Sequence, residues 1–170
     1  MKQVINAIKD FCVYNYETIA VAEHATSGCV QMLLSSVPQA ETYFQGGVST
    51  THNEQLGSLL GVESVGYEHK NNLNLSLSID TAKAVAKKFN SDIGIAIVGC
   101  PHPYGQLHCS YATIVRFNKV VYAGKFTSRA IANKLPIEYA QQIIQILADK
   151  LLPNQEELLY TTSEILEPLS

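Results

Sequence analysis

The sequence predicts a single three-layer α/β/α domain with a mixed sheet. Two short apolar runs, "TIAVAE" at 18–23 and "DIGIAIVG" at 92–99, have strand length and almost no polar interruption, as strands covered on both faces require. Amphipathic segments of helical period alternate with them, and that alternation points to helices layered on a sheet. A third pointer is the unit at 18–37, where a strand breaks into small residues and resumes as a helix. The 170 residues fit one domain, read as a body over 1–152 and an acidic tail over 153–170.

The elements follow in order. Val4, Ile5, Ile8, Phe11 and Cys12 recur at helical spacing, so the first helix lays one stripe on the body. The strand over 18–23 ends in Glu23, small residues from Ala25 to Gly28 turn the chain, and a helix runs from Cys29 to Val37, stopped by Pro38. "YFQGGVSTT" at 43–51 reads as a second strand in which Gly46 and Gly47 mark a bulge or a close backbone approach. Asn53 is placed as the N-cap of a short helix that Gly61 ends. Residues 62–77 read as a loop with room for an edge strand, and Ser78 or Asp80 as the start of a helix through Phe89. After the strand at 92–99, "CPHPYGQLH" is barred from regular structure by its prolines and glycine. "CSYATIVRF" and "VVYAGKF" flank "NK" as a hairpin, and a long helix follows with Pro136 in its first turn.

Composition narrows the function. Twelve basic and fifteen acidic residues give a net charge of -3; the tail holds four glutamates and no base, leaving +1 on the body. No basic face of the kind that holds nucleic acid is present in the sequence, so nucleic acid is not expected as a partner. No run approaches the length of a membrane span, and the opening residues lack the continuous apolar centre of a secretory signal. Four scattered cysteines without a CxxC pair fit a reduced, cytoplasmic protein.

Chemistry concentrates after the strands. His24 follows the first, and imidazole serves as nucleophile or general base near neutrality; the reading set before this one is that it fills a pocket as a hydrogen-bonded polar residue. Ser27 or Thr26 offers a hydroxyl for His24 to activate, although neighbours on one tight turn seldom face each other. His24, His52 and His102 each follow a predicted strand and form a weak metal set, with His108, Cys100 and Cys109 near in sequence but at no recognised ligand spacing. Cys100 reads either as a reactive thiol or as a small buried hydrophobe. Lys125 and Arg129 are candidate anion contacts.

In these elements the sequence resembles the CinA C-terminal domain family, the nicotinamide mononucleotide deamidases. The family's A-E-S-C-T-G-G stands here as Ala22-Glu23-His24-Ala25-Thr26-Ser27-Gly28. Its G-G-V, Y-S-N-E-x-K and L-G-V stand as Gly46-Gly47-Val48, Thr51-His52-Asn53-Glu54-Gln55-Leu56 and Leu60-Gly61-Val62. Its strand ending T-G-I-A-G-P stands as Val98-Gly99 followed by the proline-bearing loop, and Arg129 matches an arginine after the last strand. The resemblance implies an amide hydrolase needing no cofactor, a small nucleotide-like ligand, and homo-oligomers. It implies a cleft served by Glu23, Thr26, Gly28, Gly47, Asn53, Glu54, Gly99 and Arg129. The family's serine nucleophile and its activating lysine are here His24 and Leu56. A serine hydroxyl is a weak nucleophile without a base, and leucine moves no proton. The expectation is therefore a degenerate, non-hydrolytic member that binds a ligand or self-associates. The alternative is an amidohydrolase rebuilt on His24 and Ser27.

Overall fold

In the computed structural model the structure describes residues 1–62, 75–100, 108–128 and 134–152. The proposed edge strand over 62–77 falls mostly outside them, as do His102, the loop prolines, Arg129 and the tail. Five strands form one sheet in the order β2-β1-β3-β4-β5. β1 (Ile19–Glu23) lies between β2 (Phe44–Ser49) and β3 (Ile93–Cys100) and is parallel to both. β4 (His108–Arg116) and β5 (Lys119–Ser128) add an antiparallel hairpin.

The two faces of the sheet bury different partners, because side chains alternate along each strand. Ile19, Val21, Ile93, Ile95, Ile97 and Ile114 pack against α1 (Lys2–Asn15), α2 (Cys29–Ser35) and α5 (Leu135–Leu151). Ala20, Ala22, Ala96 and Val98 meet α3 (Asn53–Leu60) and α4 (Leu75–Lys88) through Leu56, Leu77, Ala82 and Val85. All five residues of β1 are buried, as its continuous apolar run requires. The expected bulge in β2 is present: the register passes from Ile19↔Phe44 to Ala20↔Gly46, leaving Gln45 unpaired.

Several boundaries differ from the sequence reading. Cys100 and His108, read as part of the irregular loop, end β3 and begin β4, because the antiparallel ladder pairs Cys100 with Cys109 and His108 with Ser128. α2 stops at Ser35, where the Ser35 and Ser36 hydroxyls donate to the carbonyls of Gln31 and Leu33. The N-cap of α3 is His52, and Asn53 is already its first helical residue. α4 is helical from Leu75. Ser78 is no cap, since its buried hydroxyl bonds the Leu75 carbonyl at 2.8 Å and Thr113 Oγ1 at 2.7 Å. The hairpin turns at Phe117–Asn118, with φ of 49° and 61°, because Lys119 pairs with Arg116.

Candidate functional site

Three parallel strands end side by side, and the turn from β1 into α2 occupies the central position. Glu23, the last residue of β1, is fully buried. Its carboxylate accepts hydrogen bonds from Thr26 Oγ1 at 2.6 Å, Val30 N at 3.0 Å and Gln31 N at 2.9 Å. Gly28, the N-cap of α2, has no side chain to serve these amides, so a strand residue caps the helix from below. Thr26, also fully buried, closes the turn by accepting Cys29 N through its carbonyl.

The turn is tight. Ser27 (φ 49°) and Gly28 (φ 87°) are consecutive left-handed residues, and a Cβ on Gly28 would meet only open space. Ser27 stands where the family signature has glycine, and a Cβ in this region costs about 1 kcal/mol. Ser27 is exposed and no hydrogen bond links it to His24 among the described residues. Ser27→Gly should therefore stabilise the fold by about 0.5 kcal/mol after the entropic cost of glycine is subtracted. Thermal denaturation checks the sign; a lower melting temperature would mean that the Ser27 side chain holds the turn.

His24 is only 7% exposed. Its backbone N–H donates to Ile97 O at 2.9 Å, which keeps it in line with β3. Its Nε2 lies 3.0 Å from the carbonyl oxygen of Thr51, just beyond β2. A carbonyl only accepts, so Nε2 carries a hydrogen, and in the neutral ring Nδ1 presents a lone pair. Nδ1 is buried and has no partner among the described residues. His24 therefore bridges β1 to the segment leading into α3, with one nitrogen committed and the other not.

Leu56 is 3% exposed and belongs to the apolar cluster of Ala20, Ala22, Leu77 and Val98. Gly47 admits a close approach: a Cβ would sit 2.3 Å from Val21 O and 2.9 Å from Gln31 Oε1. Gly99 faces Ser110, whose Oγ would lie 2.5 Å from an added Cβ. Asn53 and Glu54 open α3. His52 is exposed at its N-cap, and no group of three or more potential metal ligands forms among the described residues. Burial, and then the Glu23 carboxylate, push the Cys29 thiol up, away from thiolate chemistry. A cavity of about 1220 Å³ lies at the opposite end of the sheet, against Lys83, Lys87, Ser91 and Phe117, and none of these candidate residues lines it.

Two contributors were not legible in advance. Gln31 both bonds Glu23 through its backbone and lies over Gly47, and its place three residues into α2 gives only a weak hint. Ser110, fully buried with no partner for its hydroxyl among the described residues, carries no sequence signal.

A three-layer α/β domain with a glutamate-capped turn at the ends of parallel strands is the class that fold and site define. The chain matches the CinA C-terminal domain over residues 1–133 and belongs to that family. It is 32% identical over 108 residues to a CinA-like protein of Thermosynechococcus vestitus, covering 64% of this chain and 24% of that protein. It is 31% identical over 110 residues to a CinA-like protein of Trichodesmium erythraeum, covering 62% and 26%. The matches thus span about a quarter of these relatives' length. Among solved structures, competence damage-inducible protein A of Klebsiella pneumoniae shares the fold, with a TM-score of 0.78 at 14% identity over 91% of this chain and 98% of that one. A competence or damage-inducible protein of Enterobacter asburiae gives 0.78 at 15% identity, over 88% and 97%. No helix among the described residues is long and apolar enough to cross a membrane.

Proposed function

We propose that this chain is a non-hydrolytic member of the family, a cytoplasmic protein that keeps the amidohydrolase-like scaffold to bind a small nucleotide-like ligand and to associate with copies of itself. The observation that carries this reading is Leu56. A buried leucine packed on Ala20 and Ala22 stands where the family's activating lysine would be, so no side chain at this position can take a proton. At the nucleophile position His24 has Nε2 committed to the Thr51 carbonyl. The purified protein, incubated with nicotinamide mononucleotide, should release no ammonia above the buffer rate, and His24→Ala should behave alike. Its mass in solution should exceed the 18.6 kDa of one chain, which light scattering measures.

One observation favours a second reading, an amidohydrolase in which His24 works as base or nucleophile. Its Nδ1 has no partner among the described residues, the state either role requires. Ammonia release that disappears in His24→Ala would select this reading over the first.

A further inference from the structure

We infer that His24 is the specificity-determining residue of the site: its Nδ1 is a fixed hydrogen-bond acceptor that selects ligands bearing a donor and rejects carboxylates. The inference rests on the ligand-binding reading above and adds the ligand's polarity to it.

Three observations lead to it. The Thr51 carbonyl, 3.0 Å from Nε2, accepts and cannot donate, so the hydrogen of a neutral ring belongs on Nε2. The ring is more than nine-tenths buried and spans from β1 to the start of α3, so it cannot turn over without giving up that bond. Nδ1 is then an acceptor with no donor among the described residues. A buried polar atom left unpaired is costly, and native folds hold few of them, so an atom with no partner among the described residues, at the end of the central parallel strands, is where a ligand's donor would be taken up.

The partner's chemistry follows from the lone pair. A carboxamide N–H, a hydroxyl or an ammonium completes the bond. A carboxylate meets it acceptor to acceptor, with no hydrogen to share. Discrimination of this kind is strong, because the wrong ligand leaves a buried group unpaired. The hydroxyl of a serine at this position would both donate and accept, so selection by polarity arises from the histidine.

Two measurements on the whole protein test this. Long-range proton–nitrogen correlation spectra of histidine-labelled protein read the tautomer with no ligand present. The expected result is an unprotonated Nδ1 on His24. A protonated Nδ1 would overturn the inference while leaving the proposed function standing. Calorimetry then compares nicotinamide mononucleotide with its carboxylate counterpart, nicotinic acid mononucleotide. The amide should bind at least about ten-fold more tightly, the scale of one hydrogen bond. His24→Gln places an amide where Nε2 was and nothing at Nδ1, so the preference should vanish. His24→Asn, whose amide falls near Nδ1, should retain part of it. Equal affinities in the unaltered protein, or tighter binding of the acid, would overturn the inference alone. Failure of both nucleotides to bind would overturn it together with the reading it rests on.

Discussion

Glu23→Ala should cost the fold about 3 kcal/mol or more, because three buried or part-buried donors lose their acceptor at once. Those donors are Thr26 Oγ1 and the second and third amides of α2, and the Gly28 cap has no side chain to replace the carboxylate. At roughly 2–4 °C per kcal/mol for a chain of this size, the melting temperature should fall by about 10 °C. Glu23→Gln keeps the volume but turns one acceptor oxygen into a donor facing donors, so it should recover less than half of the loss. A loss below about 1 kcal/mol in the alanine variant would show that water replaces the carboxylate, and that Glu23 is not what ties β1 to α2. The effect reaches the site directly, since His24 follows the residue whose anchorage is removed.

Arg116→Met should be the other large effect, again near 3 kcal/mol, at the far end of the sheet. Glu17, its side chain 5% exposed, receives Arg116 Nε at 2.8 Å and Nη2 at 2.5 Å in a two-pronged pair. The guanidinium also sits 5.3 Å from the ring centroids of Phe11 and Phe117. Removing the arginine strands a buried carboxylate, which is worse than removing both charges. The pair joins the chain just after α1 to the end of β4, 99 positions away, and so closes the foot of the sheet. Nearby, Cys12 has its thiol pushed up to about 12, by burial first and then by Glu17. Urea denaturation of Arg116→Met, Glu17→Met and the double variant forms a cycle. The double variant should be the more stable of the two that lack Arg116; equal losses in both would mean that the rings, and not the charge pair, account for Arg116.

The sheet was legible where burial and pattern agree. "TIAVAE" and "DIGIAIVG" became β1 and β3 at the centre because continuous apolarity has no other use in strands of that length. Boundaries moved where a polar side chain found a tertiary partner. Ser78 reads as a cap but bonds Thr113 across the core, and Phe117, a poor residue for a left-handed turn, is held there by the Arg116↔Lys119 register. The site was legible as a turn and not as a mechanism. The small residues after Glu23 announce a strand-to-helix handover, yet the capping of α2 by Glu23 and the resting of Gln31 on Gly47 join residues through space, and no local spacing encodes them. The tautomer of His24 depends on a carbonyl 27 residues away and is invisible until β1 and β2 are paired.

In the proposed reading the scaffold is kept and the chemistry is lost. Glu23, Thr26 and Gly28 build the turn, whereas the resemblance sets His24 and Leu56 against the family's nucleophile and its activating base. The most direct measurement is ammonia release from nicotinamide mononucleotide by the His24→Ser, Leu56→Lys double variant beside the unaltered protein. Circular dichroism confirms that the variant is folded. The predicted result is release by the double variant and none by the unaltered protein. Release by the unaltered protein, or none from a folded double variant, would contradict the claim that these two positions are where the activity was lost.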